Sequence, residues 1–248
     1  PLVEENICES VKNNVLGTFF LAEAALKYNV SNFVLISSDK AVRSTNVMGA
    51  TKRLAEICVQ SLYDNNNLQS LHDSNNPKSK FAIVRFGNVL ESSGSVIPKF
   101  KKQIRNGGPI TLTHPDVSRY FMTITEASQL VIQAGAMAKK CEVFILDMGE
   151  SIKIKDLINR MIKLSGLSLR NSKNLKGDIE VKITGLRPGE KLYEELLIGD
   201  NPQKTYHEKI LKAQDPFIAF NKLKIDLDNL SNLIEENKVE DVKNLLSN

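Results

Sequence analysis

The stretch FVLIS at residues 33–37 sets the fold class, because it is a short run of almost wholly apolar residues. A run of this length suits a strand covered on both faces, as in a parallel sheet between two layers of helices. The runs FAIVR at 81–85 and VFILD at 143–147 have the same character. Helical patterns at about 48–63 and 125–139 lie between them. The sequence therefore predicts an α/β fold with a doubly wound parallel sheet.

The rest of the chain adds elements on either side of these runs. Val11, Val15, Phe19 and Ala22 recur at helical spacing and give one apolar helix face. The other predicted elements are a helix from about Cys8 to Tyr28 that carries this face, a polar surface insertion at Asp64–Lys80, a helix at Ile154–Leu164, a strand at Ile179–Ile183, a Gly/Pro loop at Thr184–Glu190 that opens another helix, and a pair of surface helices from Asn221 onward.

The composition indicates a soluble globular chain without a metal. Of the 248 residues, 42% are hydrophobic and 25% are charged, and the net charge of +4 comes from interspersed charges of both signs. This pattern argues against a nucleic-acid-binding surface, which concentrates basic residues on one face. No run approaches the roughly 18 to 20 apolar residues of a membrane helix. The three cysteines and three histidines lie far apart, so we expect reduced thiols and no structural metal.

The glycine-rich loop of dinucleotide-binding folds is absent from the sequence. Such folds begin with a strand, the motif G-x-G-x-x-G, and a helix whose N-terminus holds the pyrophosphate. No G-x-G-x-x-G occurs here, and the chain starts at Pro1 in what would be a middle helix of the fold. We therefore expect a partial sheet whose N-terminal strands are missing.

Polar residues follow the first apolar run and point to chemistry. Ser38, Asp39 and Lys40 come directly after it, at the carboxyl end of a strand, where doubly wound sheets bind ligands. Met48 and Lys52 are four residues apart on the next predicted helix and share one face. A hydroxyl, a carboxyl and two amines would then surround one pocket and could move protons at a bound substrate.

These residues resemble the Ser/Thr-Asp-Lys and Tyr-x-x-x-Lys motifs of extended short-chain dehydrogenases. More narrowly, the chain is similar to the CapD/WbpM-like UDP-N-acetylglucosamine 4,6-dehydratases of polysaccharide biosynthesis. Matching motifs follow in the family's order, namely PLVEEN at 1–6, NVLGT at 14–18, RFGNV at 85–89, GSVIP at 94–98 and GLRPGEK at 185–191. The resemblance implies a Rossmann-type domain, NAD or NADP as cofactor, and a UDP-sugar as substrate.

The resemblance also assigns roles to individual residues. Asp39 would be the acid that helps the carbon 6 hydroxyl leave as water, and Lys40 the base that removes the proton at carbon 5. Lys52 would bind the nicotinamide ribose, and its charge would favour deprotonation of nearby hydroxyls. Asn14 and Ser37 would lie on the cofactor side of the site.

Met48 departs from the family's pattern. Most relatives have a tyrosine there, which takes the proton of the carbon 4 hydroxyl, and a thioether cannot do acid–base work. The membrane-anchored WbpM-like subgroup shares this methionine, so the departure points to that subgroup. Ser38, supported by Lys52, is the expected substitute. The alternative is that the site has lost its base and its activity.

A nucleotide sugar carries two phosphates, so its pocket needs fixed cations. Arg119 and Arg187 are the candidates for this role. Asn88 would reach the diphosphate or the sugar, and Glu190 would accept a ribose hydroxyl. An apolar wall near the nucleotide would consist of Val96, Ile97 and Pro98.

Together these features predict two domains and one reaction. Residues 1–87 and 120–148 would be the remainder of the Rossmann-type domain, and residues 88–119 and 149–248 a smaller α/β domain that binds the nucleotide sugar. The complete protein would be a cytoplasmic 4,6-dehydratase acting on UDP-N-acetylglucosamine or a similar sugar for capsule or lipopolysaccharide, and it would form a homo-oligomer. A missing N-terminal section would provide an inner-membrane anchor.

Two other functions fit the same sequence. A UDP-sugar epimerase shares the fold, the cofactor and the substrate, but an epimerase at carbon 4 needs no base at carbon 5, so Lys40 favours dehydration. The second alternative is a non-catalytic fragment that binds nucleotide sugars, because a chain without the glycine loop lacks the pyrophosphate site of the cofactor.

Overall fold

The computed structural model of the protein describes residues 2–69, 79–92, 95–195 and 202–247. The helices are α1 (Leu2–Glu5), α2 (Ile7–Val11), α3 (Gly17–Lys27), α4 (Val47–Gln69), α5 (Val96–Arg105), α6 (Ile124–Met137), α7 (Ile154–Leu164), α8 (Phe220–Glu235) and α9 (Val239–Ser247). A π-helical turn at Lys12–Leu16 joins α2 to α3, and a 3₁₀ turn lies at Asp39–Ala41. Within the described ranges, no helix is long and apolar enough to cross a membrane.

The strands are mostly short. They are β1 (Asn32–Ile36), β2 (Lys80–Arg85), β3 (Asn88–Val89), β4 (Ile110–Leu112), β5 (Ser118–Arg119), β6 (Phe121–Met122), β7 (Cys141–Leu146), β8 (Ile152–Lys153), β9 (Leu169–Arg170), β10 (Ile179–Ile183), β11 (Gln203–Lys204) and β12 (Ile210–Ala213). The chain forms two compact units. Unit 1 comprises Pro1–Phe86, Gln129–Asp147 and Glu195–Asn248, and unit 2 comprises Gly87–Ser128 and Met148–Glu194.

Unit 1 is built on a five-stranded sheet in the order β1-β2-β7-β12-β11. The strands β1, β2 and β7 are parallel, and Phe81 of β2 lies between Phe33 of β1 and Cys141 of β7. These strands are the three apolar runs of the sequence, so the predicted α/β fold is confirmed. The strand β12 pairs antiparallel with β7, and β11 pairs antiparallel with β12. The sheet is therefore mixed, with a parallel part and an antiparallel edge.

Helices cover both faces of this sheet. Ile83 of β2 faces a core that includes residues of α3, α4, α8 and α9. Val84 is equally buried but points to the opposite face, because successive strand residues alternate in direction. On the strand β1, Val34 approaches α6 so closely that a Cβ added to Gly135 would lie 2.8 Å from its Cγ2. Burial on both faces explains why the parallel strands are continuous apolar runs.

The first long helix is the one that the sequence predicts, with one interruption. Val11, Val15, Phe19 and Ala22 are all buried, which confirms the apolar face. The π turn at Lys12–Leu16 lies in the middle of this face. Such turns insert an extra residue into a helix and are frequent at functional sites.

Unit 2 has its own core around a parallel three-stranded sheet in the order β4-β10-β9. Ile110 of β4 and Ile179 of β10 pack with Phe100 of α5 and Ile158 of α7 in this core. Two short strand pairs complete the unit, β3 with β6 and β5 with β8. The helix at Ile154–Leu164 and the strand at Ile179–Ile183 have the predicted bounds.

The C-terminal segment lies in a different unit from the one that the sequence predicts. The prediction groups residues 149–248 in one domain, whereas β12 extends the sheet of unit 1 and α8 buries Leu223, Leu227 and Leu230 in its core. The predicted pair of C-terminal helices is present, but α8 is a core element because of these leucines. Residues 120–128, predicted in the Rossmann-type part, belong to unit 2.

Two local predictions also differ from the structure. The sequence predicts a polar insertion at Asp64–Lys80, but α4 continues to Gln69 and Lys80 begins β2, and residues 70–78 lie outside the described residues. Tertiary packing along α4 overrides the weak helix propensity of its asparagines. The sequence also predicts a helix after the Gly/Pro loop, but residues 191–195 are not helical, and residues 196–201 lie outside the described residues.

Candidate functional site

The predicted catalytic segment follows β1 directly. The backbone N–H of Ser37 donates to the carbonyl of Val84 at 2.8 Å, which continues the pairing between β1 and β2 by one residue. The chain then turns, and the Ser38 hydroxyl accepts a hydrogen bond from the backbone N–H of Lys40 at 3.2 Å. This cap is of the kind that serine provides at helix N-termini. The sequence therefore places the segment at the carboxyl end of a parallel strand.

Asp39 and Lys40 form an ion pair at this strand end. The side chain of Asp39 is fully buried, and its Oδ1 accepts hydrogen bonds from Ser38 Oγ at 2.6 Å and from Lys40 Nζ at 2.9 Å. The Lys40 side chain is 32% exposed, so part of it faces solvent. The backbone N–H of Asp39 donates to the carbonyl of Phe86 at 3.2 Å. A hydroxyl, a carboxyl and an amine are thus in direct contact.

The start of α4 packs against this segment. A Cβ on Gly49 would lie 2.3 Å from the carbonyl oxygen of Lys40, so the helix approaches the turn as closely as glycine permits. The Glu4 carboxylate accepts hydrogen bonds from the backbone N–H groups of Val47 and Met48, which satisfies the first turn of the helix. Met48 therefore lies one residue before the glycine that contacts the 3₁₀ turn at Asp39–Ala41.

Lys52 lies on α4, and Asn14 is hydrogen-bonded to this helix. Lys52 lies one helical turn after Met48 and is half-buried, and its amine has no ion pair in the described part of the chain. Asn14 lies in the π turn, and its side-chain amide donates to the hydroxyl of Thr51 at 3.1 Å. Thr51 in turn donates to the carbonyl of Met48 at 2.9 Å. The π turn thus connects Asn14 to the helix that carries Met48 and Lys52.

Ser37 is hydrogen-bonded to a buried charge cluster that the sequence did not predict. This cluster consists of Arg53, Glu56, Arg85 and Asp215. The hydroxyl of Ser37 donates to Glu56 Oε1 at 2.6 Å, and the side chains of Glu56 and Arg85 are fully buried. A signal was present in the sequence, since Arg85 ends an otherwise apolar strand run and a buried guanidinium needs a carboxylate partner.

Arg85 keeps its charge despite this burial. Burial by itself lowers the pKa of the Arg85 guanidinium, but the hydrogen bond and the charge of Glu56, together with the charge of Asp215, raise the pKa above its ordinary value. The guanidinium binds Glu56 through two nitrogens, Nε and Nη2. Such bidentate pairs fix orientation as well as charge.

In unit 2, Arg119 lies between two carboxylates. Its Nε is 3.0 Å from Glu194 and its Nη2 is 3.4 Å from Glu190, and its Nη1 donates to the carbonyls of Ser118 and Leu192. One guanidinium therefore binds two carboxylates. This arrangement suits the fixing of a loop better than the capture of a free phosphate.

Asn88 and Glu190 lie next to Arg119 or its partners, whereas the Arg187 side chain and the start of α5 make no ion pair with this group in the described residues. Asn88 donates through its side chain to Glu194 at 3.1 Å, and Glu190 accepts from the Arg187 backbone N–H at 3.2 Å. Arg187 itself is exposed, and its guanidinium has no ion pair among residues the structure describes. At the start of α5, Ile97 is buried and Pro98 is exposed, while Val96 packs partly into the core. Arg187 is thus one of the exposed cations of unit 2.

Comparisons with known proteins place the chain among polysaccharide biosynthesis proteins. The family described by that name matches residues 1–215. The capsular polysaccharide biosynthesis protein CapD of Staphylococcus aureus is 48% identical over 98% of this chain and 38% of its own length. The X-ray structure of Pen from Bacillus thuringiensis has a TM-score of 0.67 and 38% identity, over 79% of this chain and 56% of that chain. The chain thus spans well under two thirds of each of these proteins. The likeness confirms the predicted Rossmann-type fold.

Two reactions occur among the more distant relatives. The UDP-N-acetylglucosamine 4,6-dehydratase (inverting) of Campylobacter jejuni is 29% identical over 92% of this chain and 61% of its own length. A UDP-glucose 4-epimerase of Rickettsia canadensis is 31% identical over 83% of this chain and 54% of its own length. Identity at this level does not separate the two reactions, so the residues of the site have to decide between them.

Proposed function

Because the chain belongs to the polysaccharide biosynthesis protein family, we propose that the intact protein is a nucleotide-sugar 4,6-dehydratase that acts on UDP-N-acetylglucosamine or a close relative. The observation that carries this proposal is the contact between Asp39 and Lys40, whose carboxylate and amine lie 2.9 Å apart. Dehydration needs an acid at carbon 6 and a base at carbon 5 at the same time. An adjacent carboxyl and amine supply both.

The proton movements of the reaction can be balanced with Ser38, Asp39, Lys40 and solvent. The carbon 4 hydroxyl gives its proton to Ser38, which passes its own proton to Asp39 Oδ1 along the 2.6 Å hydrogen bond. When Asp39 takes this proton, the Lys40 ammonium loses the charge of its partner and gives one proton to solvent, and the neutral amine then removes the proton at carbon 5. Asp39 gives its proton to the carbon 6 hydroxyl, which leaves as water. Lys40 finally returns a proton to carbon 5 and takes one back from solvent, so all three residues regain the forms that they have in the ion pair.

This relay explains how the site works with Met48 in place of a tyrosine. The sulfur of Met48 cannot exchange a proton, but Ser38 is already bonded to a carboxylate that can take one. Asp39 then acquires the proton that it later needs at carbon 6. The proton from the carbon 4 hydroxyl thus becomes part of the released water, and the cycle takes no net proton from solvent.

A nicotinamide cofactor, NAD or NADP, would supply the hydride acceptor for carbon 4 and the hydride donor for carbon 6. The amine of Lys52, which has no ion pair among the described residues, fits a role as donor to the hydroxyls of the nicotinamide ribose. Asn14 is bonded to Thr51 and would steady the helix that carries Lys52. Ser37 is buried and its hydroxyl is committed to Glu56, so it would support the cofactor side through the backbone.

Unit 2 would bind the nucleotide part of the substrate. Arg187 is the cation that we assign to the diphosphate, since its guanidinium has no carboxylate partner among the described residues. Arg119 would hold Glu190 and Glu194 in place. The two carboxylates would accept hydrogen bonds from hydroxyls of the ribose and sugar, and the Asn88 amide would donate to or accept from them. The apolar residues Val96, Ile97 and Pro98 would line the nucleotide.

The mass of the product tests the proposal. The intact protein, incubated with UDP-N-acetylglucosamine and NAD or NADP, should convert the substrate to a product that lacks one water. An unchanged mass with inversion at carbon 4 would instead establish the epimerase, the second candidate that the Rickettsia relative favours. Lys40 argues against that candidate, because epimerisation at carbon 4 leaves carbon 5 untouched. No conversion at all would refute both.

A further inference from the structure

The buried charge cluster joins three distant parts of unit 1. Glu56 on α4 binds Arg85 at the end of β2 through two nitrogens. Arg85 also contacts the carboxylate of Asp215, which follows β12. Arg53 lies 3.0 Å from Glu56 and 3.7 Å from Asp215, and donates to the carbonyl of Pro216 at 2.6 Å. Two cations face two anions, so the cluster is neutral overall.

The cluster is connected by two routes to the proposed catalytic turn, which consists of Ser38, Asp39 and Lys40. The first is the hydrogen bond from the Ser37 hydroxyl to Glu56, at the residue just before Ser38. The second runs along the backbone, because Asp39 donates its N–H to the carbonyl of Phe86, the residue after Arg85. Residue 37 is therefore bonded to Glu56 itself, and residue 39 is bonded to the neighbour of Arg85.

The chemistry does not need these charges at the reacting atoms. The cluster is buried beneath the turn, and the side chains of Glu56 and Arg85 are fully covered. Stability alone is a weak reason for a buried ion pair, because a well-packed apolar group often replaces such a pair without loss. Glu56, however, binds two nitrogens of Arg85 and also accepts a hydrogen bond from Ser37. These contacts fix the direction of the Ser37 hydroxyl and of the backbone at Ser37. Positioning is the function that this geometry supports.

We infer that Glu56 is a positioning residue for the proposed dehydratase: through Ser37 it fixes the backbone that presents Ser38, Asp39 and Lys40. Arg85 and Asp215 hold Glu56, so the C-terminal segment of unit 1 is coupled to the catalytic turn. The expected effect of Glu56 on turnover rests on the proposed function. Its expected effect on the conformation of residues 38–40 rests only on the hydrogen bonds.

A pair of serine substitutions isolates the positioning effect. Ser37→Ala removes the hydrogen bond to Glu56 but leaves every ion pair of the cluster in place. Ser61→Ala is the matched control, because Ser61 is also buried, lies on α4, and donates one hydrogen bond, to the carbonyl of Ile218. Both variants lose one buried hydroxyl, but only the first loses a contact to the catalytic turn.

Two measurements on the intact protein follow from this design. Ser37→Ala should lower kcat roughly 10- to 100-fold, the scale expected for a small misplacement of catalytic groups, and should leave KM for sugar and cofactor unchanged. Hydrogen–deuterium exchange at the backbone amides of residues 38–42 should become faster. Ser61→Ala should change neither quantity, and Ser37→Thr, which retains a hydroxyl, should restore both.

The outcomes separate the inference from the proposed function. If the unaltered protein dehydrates no UDP-sugar, the proposed function fails, and the exchange rates of residues 38–42 still decide whether Ser37 and Glu56 fix the turn. Equal exchange and equal kcat in Ser37→Ala and Ser61→Ala would overturn the inference. A raised cofactor KM with unchanged kcat in Ser37→Ala would also overturn it, since Ser37 would then bind the cofactor directly.

Discussion

Lys40 holds its amine 2.9 Å from Oδ1 of Asp39, a carboxylate whose own side chain is fully buried. The two residues are adjacent in the chain and lie on a 3₁₀ turn, which brings their side chains together. Because the lysine is one-third exposed and the aspartate is covered, the amine exchanges protons with solvent more readily than the carboxyl. This difference suits a pair in which one group takes a proton from carbon and the other gives a proton to oxygen.

The first prediction concerns the acid of this pair. Asp39→Asn should lower kcat for dehydration by about 10²- to 10⁴-fold, the usual contribution of a positioned general acid, because an amide cannot protonate the leaving hydroxyl. The measurement is the rate at which the product lacking one water appears. Asp116→Asn is the control, since Asp116 also pairs with a lysine but lies on the surface. A similar loss in both variants would contradict the assignment.

The second prediction concerns the residue that replaces the tyrosine. Ser38→Ala should lower kcat, because the carbon 4 hydroxyl then has no route to Asp39. Adding Met48→Tyr to this variant should restore part of the lost rate, since a phenol at position 48 can take the same proton. Steady-state kinetics of the single and double variants measure the coupling between the two positions. If Met48→Tyr changes nothing in the Ser38→Ala background, the proposed relay is wrong.

The third prediction concerns the close approach of α4 to the catalytic turn. Gly49→Ala would place a Cβ 2.3 Å from the Lys40 carbonyl oxygen, so the turn or the helix must shift. Overpacking of this kind costs about 1–3 kcal/mol, and we expect lower stability in urea unfolding together with lower kcat. In Gly17→Ala the nearest atom lies at 3.5 Å, which is an ordinary contact. That control should gain up to about 1 kcal/mol in helix propensity.

Much of the fold and part of the site follow from the sequence alone. The parallel strands are predictable because burial on both faces leaves them almost wholly apolar, as in Phe81–Arg85. The antiparallel strand Ile210–Ala213 is not, because four residues carry too little periodicity to distinguish a strand from a loop. The contact of Asp39 with Lys40 follows from strand order and adjacency. The link from Ser37 through Glu56 and Arg85 to Asp215 joins residues far apart in the chain, and periodicity holds no information on such contacts.

The fourth prediction concerns pH and the buried thiol of Cys58. Burial raises the pKa of this thiol from 9.0 to about 12. Above pH 9 the unfolded chain releases the proton while the folded chain retains it, so unfolding is favoured as pH rises from about 9 to 12. The free energy of unfolding in urea should fall across the accessible part of this range. The folded protein should resist alkylation at Cys58 at pH 8.5, with labelling after unfolding as the control.

The most direct test of the acid–base pair is the dehydration of UDP-N-acetylglucosamine by the intact protein in D₂O. Because the Lys40 side chain is 32% exposed, we expect its amine to exchange a proton with solvent before it returns one to carbon 5. The product should therefore lack one water and carry one deuterium at carbon 5, as seen by mass spectrometry and NMR. An unchanged mass, or a dehydrated product with the original hydrogen at carbon 5, would contradict the roles proposed for Asp39 and Lys40.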